Sequence, residues 1–398
     1  MRNRVVALVV AVVLVGVGFL LRALVWGDGG SLGGIFGGEA ATASDAVVVP
    51  LVCADEIGPY CKEVVDRFGA TKPSVDGRPI RVELTQMDSA AAAEAIVERR
   101  SRPLAWIPAS SAWVDEVNAR YRARNGTDVF LKSGEYQVLP VAESPMVLLV
   151  QADREPALAR HCGGTITWQC VHEAVTNPGG WRALGGDPAW GLVKFKHANP
   201  IQVNSGLLSL VLMSYGYYGD IADLTPAQIA DPGLRGFVDD IEASIDSFPR
   251  SPSDFDLNLV SFGASNYDVA ATYEFTAVKA IENAPGRGFK LALVYPPQIN
   301  RSDFPFAIAV TDETSAVDKD AALALRDFFL SEDIQHLALA GGLRPANPDV
   351  AIAGTDNPLT AHAPDGVQVR IPPSREADFP SFETVQALRQ LWLQEVNR

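Results

Sequence analysis

Apolar and polar positions along the chain fall into two rhythms: short continuous apolar runs, and longer stretches with a helical repeat. A first buried strand is predicted over 47–52, where the sequence reads VVVPLV. A helix over 60–68, a strand over 80–84, a helix over 90–99, a short strand over 104–107 and a helix over 111–122 then follow in turn. Strict alternation of this kind predicts βαβ units and a largely parallel sheet covered on both faces. Two extended runs come next, over 136–140 and 146–151. A second α/β region spans roughly 152–288, with helices around 205–217, 232–245 and 272–283. A buried strand over 291–295 ends in Pro296-Pro297, and the tail adds a strand over 306–310 and helices over about 319–330, 332–340 and 381–395. No internal repeat is visible.

The second region is inserted between the halves of the first. That layout predicts lobe I from 46–140 plus 292–398 and lobe II from 141–291. Two chain crossings permit rigid-body closure, and the cleft between lobes is where a ligand is engulfed. The pattern is equally compatible with two independent α/β domains in tandem.

The N-terminus sets the compartment. Met-Arg-Asn-Arg precedes an unbroken apolar run from Val5 to Leu21, with Arg22 and a short apolar tail to Trp26 behind it. The run is long enough for the hydrocarbon core of a bilayer, and Arg2 and Arg4 predict a cytoplasmic N-terminus with the remainder exported. Residues 1–26 are therefore expected to be a transmembrane anchor or an uncleaved signal, giving a single-pass cell-membrane protein. The alternative is a secreted chain cleaved near Ala41-Thr42-Ala43. A site of that type ordinarily lies closer to the apolar core, which favours the anchor. Residues 27–45 open on the Gly-rich GDGGSLGGIFGG and read as a flexible tether.

Composition narrows the classes. The 398 residues are 47% hydrophobic and 20% charged, enough for real cores and against disorder. A net charge of −15 disfavours nucleic acid as a partner but leaves room for a locally positive pocket. The four cysteines form two close pairs, Cys53 with Cys61 and Cys162 with Cys170, which export would allow to close as disulfides. His161 and His172 flank the second pair, but their spacing does not match a tight zinc motif. No metal and no cofactor are expected.

Several short segments then resemble bacterial extracellular solute-binding proteins. Trp106-Ile107-Pro108-Ala109-Ser110-Ser111-Ala112-Trp113 is similar to their strand, Pro-x-Ser, helix element. Ser144-Pro145-Met146-Val147 resembles the step into their second lobe, and His197-Ala198-Asn199-Pro200 with Asn204-Ser205-Gly206 resembles a helix opened on Ser-Gly. Tyr273-Glu274, Val294-Tyr295-Pro296-Pro297, Phe304-Pro305-Phe306-Ala307 and Gly342-Leu343-Arg344-Pro345 follow in the family's order, the last with Leu where the family has Phe. The branch it resembles includes molybdate- and sulfate-type binders and modules associated with von Willebrand factor A domains. The resemblance implies an α/β, two-lobed clamp of the type II periplasmic-binding-protein-like fold, here behind an N-terminal transmembrane helix, with a non-covalent small-molecule ligand.

In such a cleft, helix N-termini meet ligand oxygens through free N–H groups and the helix dipole. Ser110, Ser111, Ser144, Asn204, Ser205 and Gly206 are the expected ligand-binding positions, with Tyr273 and Glu274 reaching in from lobe II and Arg344 as the cation for a carboxylate or oxyanion. Each has a structural reading beside it. Ser and Asn are preferred helix caps, worth about 1 kcal/mol each, and Arg344 suits a salt bridge. Trp106 and Trp113 suit a core, and Asp303 a solvated turn. No G-x-S-x-G elbow, S-x-x-K, H-E-x-x-H, P-loop lysine or G-x-G-x-x-G motif occurs, so no enzyme reading is sustained. The expected role is capture of an oxyanion or other polar solute for an ABC-type permease. The alternative is an anchored sensor or scaffold that binds a protein partner, such as one of von Willebrand type.

Overall fold

The computed structural model describes residues 45–396. The anchor expected over 1–26 and the tether up to 44 lie outside these residues. Among the described residues no helix is long and apolar enough to cross a membrane.

Among the described residues eleven strands build two sheets. They are β1 (Val47–Cys53), β2 (Ser74–Val75), β3 (Arg78–Gln86), β4 (Ala105–Ile107), β5 (Leu139–Pro140), β6 (Ser144–Gln151), β7 (Phe195–Lys196), β8 (Val269–Tyr273), β9 (Leu291–Val294), β10 (Arg301–Ser302) and β11 (Pro305–Ile308). The first sheet has the order β2-β3-β1-β4-β11-β5. At its centre β1 pairs in parallel with β3, from Val47 opposite Ile80 to Cys53 opposite Gln86, and with β4. The βαβ reading holds there, because helices Gly58–Ala70 and Ser89–Val97 carry the chain from strand to strand.

The second sheet runs β10-β6-β8-β7, with β9 also on β6. Its central strand β6 is buried at every position, so both of its faces must be covered. Helices Asn204–Tyr218 and Glu274–Asn283 cover it. A largely parallel sheet was expected, but here only β7 and β8 are parallel; β6 runs antiparallel to β8, β9 and β10. The helix expected over 272–283 begins at Glu274, because β8 runs on to Tyr273 between β6 and β7. The chain re-enters the first sheet at β11, beyond the crossing expected near 292, because β9 and β10 still pair with β6.

Both expected disulfides are formed, Cys53–Cys61 and Cys162–Cys170. The first ties the end of β1 to the helix that follows it. The C-terminal helix Phe382–Val396 touches elements of both sheets. Arg389 bonds Glu116 on helix Ser111–Asn125 at 2.8 Å and lies over the Trp113 ring. One turn on, Trp392 Nε1 donates to Glu242 of helix Pro232–Glu242 at 3.1 Å.

Candidate ligand-binding site

The helix starts singled out above meet between the two sheets. Ser110 precedes helix Ser111–Asn125, yet its side chain makes no capping bond. Its hydroxyl donates instead to Asn204 Oδ1 at 3.1 Å, across to the first turn of helix Asn204–Tyr218. Trp113 Nε1 donates to the same oxygen at 2.8 Å, and Asn204 Nδ2 donates to the Tyr273 hydroxyl at 2.8 Å. All four side chains are buried. One carboxamide, able to accept and donate at once, thus joins helix starts of the first and second sheets and the end of β8. Trp113 and Trp106 are core residues and offer no stacking face.

Other expected positions are engaged within the protein. Both the backbone N–H and the hydroxyl of Ser111 donate to the Asp303 carboxylate, the former at 2.8 Å. Asp303 is therefore not a solvated turn residue. It places an internal anion at the helix start where an external oxyanion was expected. Ser144 is fully buried and accepts from the Phe275 N–H at 3.3 Å, closing the start of helix Glu274–Asn283. Glu274 and Arg344 bind each other: Arg344 Nε and Nη2 donate to the two carboxylate oxygens at 2.7 Å each. The Tyr295 hydroxyl also donates to Glu274, and Arg344 spends further N–H groups on the carbonyls of Gln368 and Val369. This is the structural salt bridge weighed for Arg344, and it leaves little of the guanidinium for a solute. Gly206 answers to packing, since a Cβ there would stand 2.3 Å from the Ala198 carbonyl oxygen.

Ser205 is buried but borders a small void. With Glu56, Asp256, Thr272, Tyr273 and Phe275 it lines a small cavity of about 10 Å³. Glu56 sits directly after β1, Asp256 on helix Pro252–Ser261 and Thr272 in β8, so the lining comes from elements of both sheets. Both Glu56 carboxylate oxygens are shielded from solvent although part of its stem is not. Apart from Glu56's own backbone N–H, neither oxygen meets a donor among the described residues. The Thr272 hydroxyl, on a residue 1% exposed, also has no partner. A groove of about 310 Å³ adjoins, and Glu56 and Phe275 line both spaces. Another hollow of about 280 Å³, beside Arg99 and Arg102, shares none of these residues, and both arginines there are tied to Glu313. Sequence reasoning passed over Glu56, Asp256 and Thr272. The available signal was an acidic pair, Asp55-Glu56, at the C-terminal end of a parallel strand, where open α/β sheets present their ligands.

Burial pushes the Glu56 carboxyl up to about 8, with Asp88, Asp55 and Asp256 adding repulsion. Burial likewise raises Asp256 to about 6, against the pull of Lys279 and a Thr276 hydrogen bond. A carboxyl held above its ordinary value of 4.5 retains its proton in the folded chain. Its contribution to stability is complete below that value and is lost as pH rises through about 8. Thermal melts of the free chain are expected to fall between pH 5 and pH 8, with Glu56→Gln flattening the decline. A decline unchanged by Glu56→Gln would assign it to other groups.

Comparison with known proteins gives the class. The family described as bacterial extracellular solute-binding protein matches residues 49–344, and the chain belongs to that family. Its members are binding proteins of the ABC-transporter type. No curated protein matches the sequence. Among solved structures, a solute-binding protein from Thermotoga lettingae bound with alpha-D-tagatose aligns at a TM-score of 0.60 and 13% identity, over 88% of this chain and 94% of that one. A putative extracellular solute-binding protein from Bordetella parapertussis gives 0.56 and 15%, over 88% and 99%. The sulfate-binding protein from Mycobacterium tuberculosis gives 0.50 and 17%, over 83% and 93%. At these identities the likeness is one of fold: an α/β, two-lobed solute-binding architecture.

Proposed function

We propose that the chain is an extracytoplasmic receptor that closes two lobes, 46–140 with the C-terminal part and 141–291, on a small polar solute and delivers it to an ABC-type permease. The carrying observation is the meeting of helix starts from both sheets around Ser110, Asn204 and Tyr273, beside a cavity with unpartnered polar groups. Polar groups left unpaired in a closed interior are costly, and a ligand that satisfies them is bound for that reason. A ligand held only by the folded, closed state raises apparent stability by mass action. Thermal melts of the full chain against oxyanions, sugars, amino acids and amines are expected to single out one class. Ser205→Ala, at the cavity wall, is expected to shrink that shift, and His336→Ala, on the exposed face of helix Glu332–Ala340, to leave it unchanged. A chain whose melting point responds to no solute class would sink the receptor reading in favour of a protein partner.

A further inference from the structure

Resting on that reading, we infer that the solute is a small organic cation whose primary ammonium group enters the Glu56–Thr272 cavity, with its carbon body in the adjoining groove. Four carboxylates, Asp55, Glu56, Asp88 and Asp256, influence one another there. The cations facing them are Lys279 beside Asp256 and Arg389 beside Asp88. Tyr273 from β8 and Glu63 and Tyr60 from helix Gly58–Ala70 complete the titratable surroundings. The balance around Glu56 is therefore negative. An anionic solute would meet repulsion there, and the helix start at Ser111 is already taken by Asp303.

Size and donor count point the same way. A cavity of about 10 Å³ has room for one group of the size of water. An ammonium group is of that size, carries three N–H donors and accepts nothing. The lining supplies what it needs, two Glu56 oxygens that meet no donor beyond that residue's own N–H and the unpartnered Thr272 hydroxyl, with Ser205 in the same wall. A sugar hydroxyl would also fit, but it brings no charge to settle a carboxylate among three others. Among the described residues no three Asp, Glu, His or Cys side chains converge as metal ligands, which favours a hydrogen-bonding cation over a metal ion. The groove of about 310 Å³ is walled by Ile57, Pro59, Phe275, Leu337 and Leu343, a mainly apolar lining for a short carbon chain, with Glu63 and Lys279 also on its wall.

Burial keeps Glu56 protonated at neutral pH in the free chain, with a value of about 8. Binding a cation then expels that proton, so affinity for an amine rises with pH up to about 8, by at most tenfold per unit.

Calorimetric titration of the full chain with n-butylamine, 1,4-diaminobutane, sulfate and tagatose, at pH 7 in two buffers of different ionisation enthalpy, tests this. Amine binding with proton release is expected. Glu56→Gln and Thr272→Val are each expected to weaken it, the first by tenfold or more, while their melting points in the absence of solute stay at or above that of the parent for Glu56→Gln. Thr272→Val serves as the second variant should Glu56→Gln fold poorly. Binding of sulfate or tagatose with no response to amines overturns the cation and leaves the receptor standing. Amine binding that survives both substitutions overturns the assigned cavity. Silence toward every probe removes both the receptor and the cation.

Discussion

Arg344→Ala is expected to cost the chain about 3–5 kcal/mol of stability, more than any other single surface-to-interior contact described above. The reason lies in what it leaves behind. Glu274 is completely buried, and its two oxygens are held by Arg344 on one side and by the Tyr295 hydroxyl on the other. Without the guanidinium a carboxylate is stranded in a low-dielectric interior, and the carbonyls of Gln368 and Val369 lose their donors as well. Glu274→Gln introduced on top of Arg344→Ala is expected to recover part of the loss, because the stranded charge disappears. Arg344→Lys is expected to recover less than its retained charge suggests, since an ammonium cannot reproduce the two-pronged contact. Chemical denaturation of the three variants beside the parent measures this. Near-parent stability of Arg344→Ala would mean that the pair is looser than drawn and that Arg344 is available to a ligand.

Asn204→Ala is expected to be the second most damaging change, at about 3 kcal/mol, and to damage ligand capture as well. Its carboxamide serves three partners, so its loss leaves Ser110 and the Trp113 indole N–H unpaired inside the protein and the Tyr273 hydroxyl with Ser302 alone, each lost bond worth about 1 kcal/mol or more. Asn204→Asp keeps an acceptor for Ser110 and Trp113, and the Tyr273 hydroxyl can rotate to donate. It also adds a carboxylate close to Glu56. That variant is therefore expected to approach the parent at pH 5 and to fall behind it at pH 8. Denaturation at the two pH values decides the matter; equal losses at both would show that charge plays no part in the seam.

These two residues also mark what the sequence made legible. Asn204, Ser110 and Tyr273 were found because a polar residue at a helix start is visible as a local pattern, and the order of such patterns resembled a known family. Their individual duties were not visible. Ser110 looked like a cap and bonds sideways, and Ser111 looked free and is matched by Asp303, a residue on the far side of the chain. Glu56 escaped for the same reason in sharper form. Nothing near it in sequence buries it; Asp256 and Thr272 do so together with Phe275, through contacts between distant segments. The strand alternation of the first sheet was readable because β1 is a continuous Val-rich apolar run and β3 alternates Ile80, Val82 and Leu84 with polar residues. The antiparallel pairing of the second sheet was not, because β8 is a five-residue run whose partners β6 and β7 lie far from it along the chain.

The C-terminal helix carries a consequence for motion. It grips the first sheet's side through Arg389 on Glu116, and the other side through Trp392 and its packing on helices Pro226–Ile229, Pro232–Glu242 and Asn204–Tyr218. If the halves swing apart as proposed, Arg389's hold on Glu116 and on the Trp113 ring must let go first, and the helix travels with the larger packed surface. In that reading the helix is a third strap besides the two proposed crossings, and its release sets how wide the mouth gapes and how long a captured guest stays.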